Sequence, residues 1–268
     1  MAIHPTSVVE DGATLGGGVE IGPFCHVGPR VTLGDGVTLV SHVSISGITS
    51  LGKGCKVYPG AALGGDSQIR GNDFTDGRLE IGEGCTLREM VSMNVGSKRD
   101  KGVTTVGARG FFMAGSHVGH DCIVGDDVTF ANSVALGGHS VIGDGVIFGG
   151  LSAVQQFCRV GKGAMVGGLT GVNRDVIPYA MAFGDHAELA GLNLIGLKRR
   201  GLSRDTINAM RATFRSVFYG SGGGVADRAR EAKAKFAGIA EVAEITDFIL
   251  ADSKQDLCLA RRRGGETA

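Results

Sequence analysis

Three of the chain's seven histidines, His117, His120 and His139, stand close enough in the sequence to act together. Two of them lie in the run Ser116-His117-Val118-Gly119-His120-Asp121-Cys122, where a carboxylate directly follows the second. Imidazole titrates near neutrality and is the side chain most often used as a general base. An aspartate beside it can fix its tautomer and stabilise the imidazolium that forms. A base of this kind, joined to a backbone N–H that can receive an oxyanion, is what attack on a thioester requires. Three histidines could instead ligate zinc, for which imidazole is the usual nitrogen ligand. The chain has no Ser or Cys nucleophile motif, no P-loop and no dinucleotide fingerprint.

The element that must position these residues is a repeat. An apolar side chain recurs every sixth position at Val106, Phe112, Val118, Val124, Phe130, Leu136, Ile142, Phe148, Val154, Val160, Val166 and Val172. Period six fits neither a helix nor a strand. It marks a parallel β-helix, in which each hexad supplies one short side of a coil. Three hexads make an eighteen-residue coil, so His120, Gly138 and Gln156 stack in one column, and Asp121 and His139 in the next. The backbone at Gly138 therefore passes near His120, and the missing side chain lets a substrate approach its N–H. Neighbouring residues of a strand face opposite ways, so Asp121 reaches His120 only if a corner intervenes.

The same frame opens the chain at Ile3, Val9 and Leu15 and runs without a slip to Leu63. It breaks at about 66–78 and again at about 95–105, where Lys98, Arg99, Asp100 and Lys101 cluster. The phase survives the first break and moves by one residue at the second, so a real insertion lies there. Loops ejected from a solenoid commonly carry its binding function. Hexads end near Pro178, and 184–201 reads as a connector. Ser203 then suits the N-cap of a helix over Arg204–Tyr219, and Val225–Phe236 and Glu241–Ala251 read as two more. The tail, Arg261 to Gly265, reads as a frayed end. The expected organisation is a mainly β chain, with a parallel β-helix over 1–185 and an α-helical C-terminal domain over 186–268. Lys198-Arg199-Arg200 suits a phosphate or diphosphate, and Arg211 and Arg215 extend a basic helix face suited to an acidic protein partner.

Composition narrows the classes. Hydrophobic residues make up 43% of 268, ample for a core, and 47 glycines suit tight coil corners. Formal net charge is zero, so no global field draws the chain to nucleic acid or membrane. No apolar run nears the ~20 residues of a membrane span, and the opening residues lack a signal peptide's features, so the cytoplasm is expected. Cys25, Cys55, Cys85, Cys122 and Cys158 all fall four residues after a hexad's apolar residue, a slot that elsewhere holds Ala61, Ala164, Ser116, Ser140 and Val128. They read as buried structural thiols.

The chain also resembles a known family, the bacterial UDP-N-acetylglucosamine acyltransferases that begin lipid A synthesis. The resemblance covers nearly its whole length. It is carried by Ile3-His4-Pro5-Thr6, Ile21-Gly22-Pro23-Phe24, the His117 to Cys122 run, Gln156-Phe157 and Gly196-Leu197-Lys198-Arg199-Arg200-Gly201. The resemblance implies a left-handed coil and a homotrimer with active sites between subunits. It also implies an acyl-carrier-protein thioester as co-substrate, no cofactor or metal, and transfer of a 3-hydroxyacyl chain to position 3 of the glucosamine. By resemblance His120 is the general base, Asp121 its orienting partner and the Gly138 N–H the oxyanion donor. His117, His139, Gln156, Gln68, Asn193, Arg199 and Arg200 match positions lining the UDP-sugar site, and Gly168 falls where acyl length is set.

Departures gather around the acceptor. Ile69 replaces a sugar-contacting acid, Asn94 and Gln155 stand where histidines are common, and Ile195 where an acid is common. Some relatives acylate a 3-amino sugar, so N-acylation of a 3-amino or other UDP-amino sugar is one alternative. A zinc hydratase resembling the γ-carbonic anhydrases is another, and a non-catalytic scaffold a third.

Overall fold

The structure is a computed structural model that describes residues 1–71 and 75–261. The rest of the expected frayed tail, Arg262 to Gly265, lies outside the described residues. Most hexads form a two-residue strand closed by a corner, as in His117–Val118, Ile123–Val124 and Thr129–Phe130. The strands stack into three sheets of eleven, nine and eight members, and apart from a hairpin strand that ends the largest, the neighbour lies one coil away. Phe111 pairs with Thr129, His117 with Ala135, and Ile123 with Val141, all in parallel. The result is a left-handed parallel β-helix with a prism-like core.

The apolar residue of every hexad from Val106 to Val172 is buried, and the cysteine slots face the same core. Phe112, Phe130 and Phe148 stack up one side, with ring centroids 4.8 and 4.9 Å apart in edge-to-face contact. Such a column cannot collapse around a lost ring, because coils above and below fix the spacing. Phe130→Ala is therefore expected to cost about 3–5 kcal/mol, read as a lowered urea midpoint with an unchanged slope.

Both loops are true ejections from a continuing coil. Across the first, Ala62 pairs with Ser92, so whole hexads are added and the phase is kept. Across the second, Ser92 pairs with His117, a hexad and one residue more than a plain coil. The loops are shorter than expected, since strands resume at Arg78 and at Val103.

The stretch 184–201 is more ordered than a connector. Ala180–Phe183 adds in parallel to Met165–Val166, and Glu188–Leu192 then folds back antiparallel on it. Helix α1 (Leu194–Arg199) follows, capped by Asn193, whose Oδ1 accepts the Gly196 N–H at 2.9 Å. Its shortness hid it from a periodicity argument. Helices α2 (Arg204–Tyr219), α3 (Val225–Lys235) and α4 (Ala240–Leu250) follow, and Ser203 Oγ caps α2 by accepting the Thr206 N–H at 3.1 Å. The last segment is tied back to the coil through Asp175, fully buried, which accepts from Arg159 Nε at 2.7 Å and Ser253 Oγ at 2.6 Å. Among the described residues no helix is long and apolar enough to cross a membrane.

Candidate active site

His120 and Asp121 occupy a corner, immediately after the strand His117–Val118. Asp121 has φ 59°, and this left-handed residue turns the chain so that two consecutive side chains meet. The same conformation recurs at His139 and Phe157, one and two coils on, and at other corners, so it belongs to the coil and not to the site alone.

His120 Nδ1 lies 2.8 Å from Asp121 Oδ2, with both residues buried. The carboxylate can only accept, so Nδ1 carries the proton and Nε2 keeps its lone pair. The second ejected loop completes the pair. Ser97 donates its N–H to Asp121 Oδ1 at 2.9 Å and its hydroxyl to Oδ2 at 2.6 Å. Asp121 N–H in turn donates to Thr104 Oγ1 at 2.8 Å.

Gly138 is required by space. A Cβ built there would lie 2.4 Å from His120 Cε1 and 2.6 Å from Nε2, inside the imidazole. The sequence reading gave the absent side chain to the substrate; the structure gives it to the base. Among the described residues no hydrogen bond takes up the Gly138 N–H, so it remains available to a ligand.

His139 stands edge-on to His120, with ring centroids 5.0 Å apart, and stacks on Phe157 at 4.5 Å. Its Nδ1 lies 3.0 Å from Asp100 Oδ2, and this imidazole holds the Asp100 carboxyl below its ordinary range. Lys254 brings its ammonium over the Phe157 ring at 4.3 Å. His117 Nδ1 meets Ser92 Oγ at 2.9 Å. Burial pushes the His117 pKa down, so at neutral pH it is a hydrogen-bonding group and not a cation.

Two recesses meet at His120. One, of about 280 Å³, is lined by Gln68, Asn94, His117, Gly138 and Gln156. The other, of about 440 Å³, adds Ile69, Arg99, His139, Phe157 and Lys254 to Gln68 and Gln156. The expected residues His117, His120, Asp121, Gly138, His139, Gln156 and Gln68 thus converge within one chain. Asn94 anchors the first loop there, donating from Nδ2 to the carbonyl oxygens of Asp66 at 2.8 Å and Gly65 at 3.3 Å.

Asn193, Arg199 and Arg200 do not converge with them. Arg200 reaches Gly145 O at 3.3 Å, on a different corner of the prism, and neither recess includes any of the three. Gly168 is exposed on a third corner, where a Cβ would sit 3.2 Å from Gly150 O. Gln155 and Ile195 are exposed and line neither recess. Arg211 and Arg215 line a separate cavity of about 450 Å³ with Phe214 and Arg261.

The zinc alternative needs restating. The atoms that come within 4.8 Å of one another belong to His120, Asp121 and His139, and not to the three histidines. Both oxygens of Asp121 already accept from N–H and O–H donors, which is a tautomer-fixing arrangement and not a set of lone pairs aimed at one point. Sequence reasoning missed Ser97, Thr104 and Lys254. Ser97 carried one usable signal, its place in an ejected loop near the histidines, whereas Lys254 follows no period.

A hexapeptide-repeat coil with a buried His–Asp pair at a corner and an open backbone N–H beside it defines an acyltransferase of the hexapeptide class. The comparisons agree. The profile "Bacterial transferase hexapeptide (six repeats)" matches residues 12–47, and "Udp N-acetylglucosamine O-acyltransferase; Domain 2" matches 175–258. The acyl-[acyl-carrier-protein]–UDP-N-acetylglucosamine O-acyltransferase of Caulobacter vibrioides is 49% identical over 98% of this chain and 99% of its own. That of Mesorhizobium japonicum is 49% identical over 99% of this chain and 95% of its own. Among solved structures, the UDP-N-acetylglucosamine O-acyltransferase of Moraxella catarrhalis superposes with a TM-score of 0.90 at 36% identity, covering 96% of this chain and 99% of that one. The Campylobacter jejuni acyltransferase gives 0.91 at 30%, covering 97% and 100%. The chain belongs to the UDP-N-acetylglucosamine O-acyltransferase family.

Proposed function

We propose that the protein transfers a 3-hydroxyacyl chain from an acyl-carrier-protein thioester to the 3-hydroxyl of UDP-N-acetylglucosamine, the first step of lipid A synthesis. The observation that carries the reading is a buried His120 whose Nδ1 is committed to Asp121 while Nε2 is left basic beside an open N–H. His120 Nε2 removes the proton of the sugar hydroxyl as its oxygen attacks the thioester carbonyl. Asp121 stabilises the imidazolium, and the Gly138 N–H receives the oxyanion. Collapse breaks the C–S bond, and the imidazolium returns its proton to the departing thiolate. Protons and electrons balance without a cofactor. His117, Gln68 and Gln156 line the sugar recess. Gly168 carries no side chain to block a long acyl chain at its corner. The curated relatives cited above are all named O-acyltransferases, which favours the hydroxyl over a 3-amine as acceptor and gives no support to a hydratase or a scaffold. A carrier-protein donor and a nucleotide sugar as acceptor support a cytoplasmic reaction. The acidic carrier protein would find cations at Arg211 and Arg215.

The diphosphate-binding candidates Arg199 and Arg200 stand on another corner, away from His120. That separation supports a site shared between copies, in which a neighbour brings Arg199 and Arg200, with Asn193, to the base of a homotrimer. Inactive His120→Ala and Arg200→Ala chains, unfolded together and refolded as mixed oligomers, are expected to regain transfer. Random mixing leaves about a quarter of the sites with both residues intact. Mixtures as inactive as either parent would place the whole site in one chain.

A further inference from the structure

We propose that the second ejected loop positions the catalytic pair, with Ser97 as the positioning residue that commits Asp121 to His120. The inference rests on the acyl-transfer reading above and adds to it. Asp121 has two imidazoles in reach, His120 Nδ1 at 2.8 Å and His139 Nε2 at 3.9 Å from the same Oδ2. A single corner carboxylate between two rings has no reason of its own to serve only one.

The loop supplies the reason from both sides. Ser97 is fully buried, and its N–H and hydroxyl each take one oxygen of Asp121, at 2.9 and 2.6 Å. Two donors from one residue fix the rotation of the carboxylate plane and leave Oδ2 facing His120. Three residues on, Asp100 accepts from His139 Nδ1 at 3.0 Å. In a neutral ring that contact puts the proton on Nδ1, so Nε2 then turns a lone pair, not a donor, toward Asp121. One short loop thus sets the tautomers of both histidines. Ser97 Oγ is also engaged by the Arg99 N–H at 3.3 Å, which links the same turn to a cationic side chain lining the larger recess.

The consequence is a split between binding and chemistry. Ser97 lines neither recess, and its removal leaves Gln68, His117 and Gln156 of the sugar recess in place. Ser97→Ala keeps the backbone N–H and deletes only the hydroxyl. We expect kcat to fall about tenfold or more through misorientation of the base, with KM for the nucleotide sugar unchanged. In ¹⁵N-labelled protein the Nδ1–H form of His120 should lose population in the same variant. Ser152→Ala is the control, because it deletes a buried serine hydroxyl, bonded to Gly149 O at 2.7 Å, away from the pair. It should change neither readout.

A folded Ser97→Ala protein with wild-type kcat and an unchanged His120 signal would overturn the proposal. So would an equal loss in Ser152→Ala, which would mark generic loosening of the coil. A wild-type protein that forms no ester, but whose His120 signal responds to Ser97→Ala alone, would sink the acyl-transfer reading and leave the positioning role standing.

Discussion

His120→Ala is expected to lower kcat by about 10²–10⁴-fold while the secondary structure and the oligomer survive. The side chain is buried at a corner, so its loss opens a small recess without removing a core contact from the hexad ladder. Its partners explain the size of the effect. Without the imidazole, Asp121 faces the recess with Ser97 as its remaining side-chain partner, and a carboxylate that far below the nucleophile's pKa is a poor substitute base. KM for the sugar should change little, because Gln68, His117 and Gln156 still line the recess. Retention of near-wild-type kcat would remove His120 from the chemistry.

Gly138→Ala should be nearly as damaging, although it adds a single methyl group. The added Cβ would lie within 2.9 Å of three imidazole atoms, closer than nonbonded carbon can approach. The backbone cannot retreat, since Gly138 O accepts from Phe157 N–H at 3.2 Å in the next coil. The ring must therefore leave, and with it the Asp121 contact and the alignment with the Gly138 N–H. A misplacement of about 1 Å costs about 10²-fold in rate, so a loss of that order or more is expected, at a stability cost well below that of a core truncation. Steady-state kinetics beside a thermal melt separates the two. A Gly138→Ala protein with full activity would mean that the ring does not occupy that space during turnover.

The repeat made the coil legible. One apolar position per hexad, a small-residue slot four places later and frequent glycines at corners are local requirements, so they appear in the sequence at fixed spacing. Stacking then follows by counting, which sets Gly138 and Gln156 beside His120 from the sequence alone. The helices after Ser203 were legible for the same reason: caps and an apolar face are local signals. The antiparallel strand Glu188–Leu192 and helix α1 were not, because both are short and lie past the end of the repeat: the strand closes a hairpin on Ala180–Phe183, and the helix has six residues behind its Asn193 cap.

The candidate site was legible where it rides on the ladder and obscure where it depends on loops. Ser97 reaches Asp121 across an insertion whose path no period dictates, and Lys254 arrives from the chain's far end. Counting coils also could not show that Arg200 sits on a different corner from His120. The departures at the acceptor side resolve unequally. Asn94 has a structural task, holding the carbonyls of Gly65 and Asp66, whereas Ile69 simply lines the larger recess. Ile195 is exposed, and nothing within the chain explains it.

The central claim is ester formation driven by the His120–Asp121 pair, and product identity tests it most directly. Wild-type protein would be supplied with a 3-hydroxyacyl carrier protein and UDP-N-acetylglucosamine, and the product analysed by mass and by its sugar proton shifts. The account predicts one acyl group on the 3-oxygen, released free carrier thiol in equal amount, and no product with His120→Ala. Carrier thiol released without an acylated sugar, or an ester formed equally well by His120→Ala, would contradict it.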